Sequence, residues 1–307
     1  MDGKLTYDEV YREGAARLGD AGIEEAALDA RLLLEFVCGT DRNTLLVHGE
    51  RDVSEEEHGR YCGLIERRAA HVPLQHLTGE QDFMGLTFLV NKDVLVPRQD
   101  TEVLVEEVMK HLHDGMRILD MCTGSGCILL SLLHYSNDCE GVGVDLSARA
   151  LSVAGKNYEI LRTRRPDMKA RFLEGDLFEG LVPEAENEAD RKMAADGETN
   201  DGEKRFDIIV SNPPYIKTDV IDTLMPEVRE HEPVMALDGG GDGLAFYRRI
   251  AGDAGAYLNG GGMLFFEIGC EQAADVCKIM EAAGFREVEV VKDFAGLDRV
   301  VYGSWFG

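Results

Sequence analysis

No run of the chain reaches the ~20 uninterrupted apolar residues of a membrane-spanning helix, so no span is expected. The opening MDGKLTYDEV has no basic stretch followed by an apolar core, which a secretory signal would show. The expected location is the cytoplasm. Cysteine pairs at metal or redox spacing are also missing. The seven cysteines (Cys38, Cys62, Cys122, Cys127, Cys139, Cys270 and Cys277) are odd in number and include no C-x-x-C. They read as reduced, mostly buried apolar residues, and no metal is expected. Positive charge is scarce: 32 Lys and Arg against 58 Asp and Glu leave a net charge of −26. Such a surface repels a phosphate backbone unless a local basic patch offsets it. The densest basic run, Arg162, Arg164, Arg165, Lys169 and Arg171, reads as a solvated helix end. Direct nucleic-acid binding is therefore not expected.

What is present suits two domains, because 307 residues are too many for one small core. Residues 1–75 read as a small all-α bundle. Thr6 with Glu9, and Ser54 with Glu57, have capping-box spacing ahead of apolar helical faces. Asp41 is placed to start a short helix and Gly39 to end the one before it. A separate bundle ahead of a catalytic domain is expected to recognise substrate. Residues 76–98 scatter Phe83, Leu86, Phe88, Val90, Val94 and Val96 among turn residues, as a β-hairpin linker would.

Over 99–307, strand and helix patterns alternate. Strand-like runs are Arg117–Met121, Gly141–Asp145, Ala170–Glu174, Phe206–Ser211, Met263–Ile268, Glu287–Val291 and Arg299–Trp305. The alternation predicts an α/β, Rossmann-like seven-stranded sheet, mostly parallel, with the last two strands antiparallel. The stretch 182–205 is acidic and poor in apolar residues, and reads as an exposed insertion.

Three segments have the character of a cofactor site. Cys122-Thr123-Gly124-Ser125-Gly126 follows a strand and precedes a helix, although the full G-x-G-x-x-G of a dinucleotide site is absent. Asp145 ends the next strand about 20 residues on, where a carboxylate can accept ribose hydroxyls, or simply cap the helix near Ser147. Asp176 and Leu177 follow the third strand, placed to meet an adenine amino group and ring.

The fourth segment, Asn212-Pro213-Pro214-Tyr215, carries the chemistry. It follows a hydrophobic strand at the end where ligands bind in such sheets. Two prolines stiffen the loop and remove two N–H donors, leaving the Asn212 side-chain oxygen and the Pro213 carbonyl as acceptors. A planar NH2 group has two donors to match them, and Tyr215 offers an aromatic face. Fixed acceptors favour the charge that builds on nitrogen as a methyl group arrives from S-adenosylmethionine, so no base or metal is needed.

The residues resemble the glutamine-N5 methyltransferases that modify peptide chain release factors, the HemK/PrmC family. Besides Asn212 to Tyr215, the likeness includes Pro73 to Gly79, Phe83 to Phe88, Val94 to Glu102, Glu232 to Gly240, Asp242 to Leu244 and Phe266 to Gly269. It implies a helical substrate-gripping domain before a class I methyltransferase domain. It also implies S-adenosylmethionine contacts at Cys122 to Gly126, Asp145, Leu177 and Asn212. The implied target is the glutamine of a Gly-Gly-Gln loop, lying against Asn212 to Tyr215, and the protein is expected to act as a monomer. Gln99, His76 and Cys122 stand where the family more often has proline, tyrosine and glycine. None of the three removes a proposed catalytic group.

Three other readings share parts of this pattern: an adenine-N6 methyltransferase of DNA or RNA, a glutamine methyltransferase of a ribosomal protein, and a non-catalytic cofactor-binding module. The charge of −26 opposes the first, and an intact Asn212 and Asp145 oppose the last. Around the site, Arg98 is placed to orient a ligand or pair with a carboxylate. Asp100 and Thr101 are placed to cap the following helix, and Glu267 to form a site wall or a strand-end charge.

Overall fold

The structure, a computed structural model, describes residues 5–181 and 205–307. The acidic segment expected over 182–205 lies, except for Arg205, outside the described residues. The chain divides into two compact units, Met1–Glu80 with Leu224–His231, and Gln81–Thr223 with Glu232–Gly307.

The first unit contains α1 (Tyr7–Asp20), α2 (Ala26–Cys38), α3 (Arg42–Val47), α4 (Glu55–Ala69) and α5 (Leu74–Thr78). Their boundaries follow local chemistry. Thr6 with Glu9 and Ser54 with Glu57 form reciprocal capping boxes. Asp41 accepts from the Thr44 N–H at 2.8 Å, and Gly39 ends α2 in the left-handed region. Tyr7, Leu18, Leu33, Leu34, Tyr61 and Ile65 share one core. Beside it, Arg68 donates through Nε to Asp29 at 2.7 Å, and through both terminal nitrogens to Glu227 at 3.2 Å. Nδ1 of His71 stands 3.1 Å from the same Glu227 oxygen. Glu227 sits on the short helix Pro226–Arg229, so this buried ionic knot holds the returning segment to the bundle.

The second unit opens with β1 (Glu80–Phe83) and β2 (Leu86–Leu89). Met84 and Gly85, at φ 51° and 69°, make the two-residue turn whose twist matches a hairpin. Then come α6 (Gln99–His111), β3 (Arg117–Met121), α7 (Cys127–Tyr135), β4 (Glu140–Asp145), α8 (Ala148–Arg162), β5 (Lys169–Glu174) and β6 (Phe206–Ser211). After these follow α9 (Ala245–Ala254), β7 (Leu258–Glu267), α10 (Ala273–Ala282), β8 (Arg286–Lys292) and β9 (Asp298–Ser304). Seven strands form one sheet in the order β5-β4-β3-β6-β7-β9-β8. The first five run parallel, and β9 pairs antiparallel with both β7 and β8.

Each face of the sheet has its own core, because side chains alternate along a strand. On β6, Ile208 and Val210 join a core with Leu104, Val108 and Leu129, while Ile209 joins one with Tyr247, Ile250 and Val276. Burial on both faces explains the near-continuous apolar strands. β4 lies on one side of β3 and β6 on the other, so the winding reverses between β3 and β6. Ligands bind at such a reversal, outside the carboxyl ends of the strands.

Candidate active site

A cavity of about 310 Å³ opens there. Its walls come from the segments that follow four neighbouring strands: Cys122 after β3, Asp145 at the end of β4, Leu177 after β5 and Asn212 after β6. The volume falls within the roughly 300–1,000 Å³ of small-molecule sites.

The turn after β3 is held from two sides. The Thr123 hydroxyl donates to Asp120 at 2.6 Å, and the Gly124 N–H donates to Asp145 Oδ2 at 2.8 Å. Asp145 Oδ1 accepts from the Ser147 N–H at 2.9 Å. Asp145 thus helps to shape the start of α8, whose N-cap side chain is Ser147. Burial raises the Asp145 carboxyl, and the two N–H bonds oppose that rise. Each oxygen has accepted one N–H and keeps room for another donor, which suits a ribose diol. Cys122 and Leu177, both on the wall, have φ of 59° and 54°, a strained region for residues with side chains. Asp176 also lines the cavity, with its Oδ2 paired to Arg249 at 2.8 Å. The apolar wall of Ile128, Val144 and Ala150 suits a flat base. The residues present therefore fit an adenosine-bearing cofactor. Thr123, Gly124 and Ser125 line the cavity, whereas Gly126 stands outside the wall against Ala154 and Leu130.

β6 ends at Ser211, whose hydroxyl donates to the Met121 carbonyl at 2.7 Å and ties β6 to β3 just before the loop. Asn212 and Pro214 face the cavity, while Pro213 is buried and Tyr215 packs against the second core. The next stretch is braced as a sheet would be. Ile216 N–H donates to Leu237 at 3.0 Å, and Gly239 N–H returns a bond to Ile216 at 2.8 Å. A side chain at Gly239 would come within 2.7 Å of the Tyr215 backbone, so only glycine fits there. Gln272 completes the brace: its amide nitrogen donates to the carbonyls of Tyr215 and Gly243, each at 3.1 Å. Nothing in the residue pattern singles out Gln272. Burial pushes the Tyr215 hydroxyl up to about 12.

Asp100 and Thr101 do not cap α6. The cap position is Arg98, with no side-chain bond, and both residues lie inside the first turn. From there their side chains turn toward the sheet. Asp100 pairs with Arg299 at 3.0 Å. The Thr101 hydroxyl accepts from Asn212 Nδ2 at 3.4 Å. Arg98 lines the cavity and donates to both oxygens of Glu232 at 2.8 and 2.9 Å. Burial raises Glu232, and Arg98 opposes that rise. Two further carboxyls lie beneath the site, Asp120 at 0% and Glu267 at 2% exposure, and burial pushes each up to about 7. Among the described residues no group of His, Cys, Asp or Glu is arranged to hold a metal.

The sequence profile of the PrmC N-terminal domain matches residues 9–79. A release factor glutamine methyltransferase from Caulobacter vibrioides is 41% identical over 97% of this chain and 96% of its own length. One from Geobacter sulfurreducens is also 41% identical, over 93% and 92%. A solved methyltransferase from Pyrococcus furiosus shares the fold, with a TM-score of 0.51 and 18% identity over 79% of this chain and 98% of that one. With strand order, glycine turn, strand-end Asp145 and Asn-Pro-Pro-Tyr loop all in place, the chain belongs to the release factor glutamine methyltransferase family.

Proposed function

We propose that this protein transfers a methyl group from S-adenosylmethionine to the side-chain amide nitrogen, N5, of the glutamine in the Gly-Gly-Gln motif of peptide chain release factors. One observation carries the chemistry: Asn212 faces the cavity with its Nδ2 engaged by Thr101, which leaves Oδ1 for an incoming donor.

When bound, S-adenosylmethionine supplies the methyl group on a sulfonium that leaves as a neutral thioether. Asp145 accepts its ribose hydroxyls, and Asp176 and Leu177 meet its adenine. Cys122 to Gly126 bring backbone close to it, Gly126 by letting α8 pack against the turn. Asn212 Oδ1 and the Pro213 carbonyl accept the two N–H bonds of the glutamine amide. That arrangement aims the nitrogen along the line of transfer and stabilises its growing positive charge. The proton leaves late, to Asn212 or water, and the amide returns to neutrality. Pro214 walls the amide in, backed by Tyr215 from the core side, and Arg98 shapes the mouth while holding Glu232.

The helical unit is read as the grip on the release factor, and the protein as a cytoplasmic monomer. Nucleic acid is disfavoured as a partner by the net charge of −26. The basic run also has local uses: Arg165 bonds the Ser136 carbonyl and Asp167, and Lys169 pairs with Glu140. The test is incubation with radiolabelled S-adenosylmethionine and a release factor, wild type beside a Gly-Gly-Gln→Gly-Gly-Ala control. Label on the wild type alone is expected. Label on ribosomal protein or nucleic acid instead would overturn the substrate.

A further inference from the structure

One buried acid near the reacting loop has no task in the transfer just described. Glu267 ends β7 beneath the cavity, 2% exposed, and its Oε2 has no hydrogen-bond partner. It does not line the cavity, so it acts only through its neighbours. Thr101 on α6 and Asn212 after β6 are its polar neighbours and favour its anion, and Asn212 Nδ2 donates to the Thr101 hydroxyl at 3.4 Å. The charged and titratable groups around it come from five elements. Arg299 on β9 favours its anion, and Asp100 on α6 opposes it. Tyr215 beyond β6, Tyr247 on α9 and Cys127 on α7 also feel its charge.

A carboxylate can only accept hydrogen bonds, whereas a threonine hydroxyl donates one and accepts others. Beside an ionised Glu267, the Thr101 hydroxyl points its proton at the carboxylate. Its lone pairs then face Asn212, which must answer with Nδ2. Beside a protonated Glu267 the chain can run backward. The acid donates to Thr101, Thr101 donates to Asn212, and the amide turns Nδ2 toward the cavity. The two faces of an asparagine amide have nearly the same shape, so hydrogen-bond direction alone decides between them.

We propose that Glu267 is the positioning residue that sets the direction of the Glu267–Thr101–Asn212 chain, so that its carboxylate form presents Asn212 Oδ1 to the substrate amide and its protonated form presents Nδ2. The inference rests on the reading that Asn212 receives the glutamine amide. In the protonated form, two NH2 groups would meet donor to donor. Burial moves the Glu267 transition into the neutral range.

The test is a pH profile of kcat with saturating S-adenosylmethionine and release factor, for wild type, Glu267→Gln, Thr101→Val and Thr101→Ser. Wild type should rise roughly tenfold from about pH 6 to about pH 8, as one carboxyl ionises. Glu267→Gln can both donate and accept, so it should lose most of kcat and the rising limb, with KM within roughly threefold of wild type. Thr101→Val removes the relaying hydroxyl, leaving Glu267 only its direct neighbour Asn212, and should flatten the limb, while Thr101→Ser restores it. Asp120 also titrates near pH 7. A limb that persists in both Glu267→Gln and Thr101→Val would belong to Asp120 and would overturn the proposal. So would a flat wild-type profile. Should Glu267→Gln fail to fold, the two Thr101 variants decide. Wild type that never labels release factor would instead sink the substrate reading.

Discussion

The carboxylate of Asp145 accepts the Gly124 N–H at 2.8 Å, so the last residue of β4 holds the turn that follows β3. On the proposed reading, one side chain shapes the glycine turn and also offers its remaining lone pairs to a ribose. Asp145→Ala removes both functions. Isothermal titration calorimetry should show S-adenosylmethionine affinity weakened on the order of tenfold to a hundredfold, the loss of one or two charge-assisted hydrogen bonds. Unchanged affinity would remove Asp145 from the site.

Arg98 and Glu232 form a pair of unequal burial, with side chains 47% and 1% exposed. Arg98→Ala leaves the acid buried without its partner. The expected cost is about 1–2 kcal/mol, small for a buried pair because the arginine is half in water. The sign of the pH dependence follows from Glu232. Its folded-state pKa is raised, so its contribution to stability is full below the unfolded carboxylate range and is lost as pH rises through the folded value. Without Arg98 the folded value rises further. The Tm gap between wild type and variant should widen from about pH 5 to about pH 8.

Asp120 lies wholly buried under the glycine turn, with Oδ1 lacking a hydrogen-bond partner. Burial pushes it up to about 7 against the Thr123 hydrogen bond. Its contribution to stability is therefore present at low pH and disappears as pH rises through about 7. Asp120→Asn keeps an acceptor for Thr123 and cannot ionise. Thermal melts should show the variant gaining on wild type as pH rises from about 5 to about 8. A constant difference would contradict the burial argument.

Gln272 donates to the carbonyls of Tyr215 and Gly243, and accepts from the Gly269 N–H at 2.9 Å and the Tyr247 hydroxyl at 3.4 Å. Gln272→Ala should loosen the reacting loop and lower kcat roughly tenfold, because small misplacements are costly in a positioned transfer. S-adenosylmethionine affinity should stay close to wild type. An unaffected kcat would show that the segments around Gly239 and Gly243 suffice to hold Tyr215.

Much of the fold was legible because its signals are local. Capping residues mark α1, α3 and α4, and six of the seven sheet strands lie within one residue of their hydrophobic runs. β7 is the exception, beginning at Leu258 rather than Met263. Its Asn259-Gly260-Gly261-Gly262 stretch reads as a turn, but long-range bonds such as Trp305 N–H to the Gly262 carbonyl hold it to the sheet. The return of Leu224–His231 to the helical unit left no trace in composition, because Glu227 acts through contacts with Arg68 and His71 that only folding brings together. Thr101 was misread for a related reason. Sequence places it at a helix start, where threonine often caps, but only the packed helix shows its hydroxyl turned to Asn212. The site residues that stand out in the sequence sit on strand-end loops. The residues that hold them sit on helices and neighbouring strands, with no spacing rule to expose them.

The most direct measurement is single-turnover transfer of labelled methyl to a release factor by Asn212→Ala, with S-adenosylmethionine binding measured on the same sample. Asn212 is read as the acceptor that meets the glutamine amide. Transfer should therefore fall on the order of a hundredfold or more, the scale of losing one preorganised hydrogen-bonding group. Binding should change by only a few-fold. Transfer at near wild-type rate with binding intact would contradict the account, because the amide would then be held without the acceptor assigned to it.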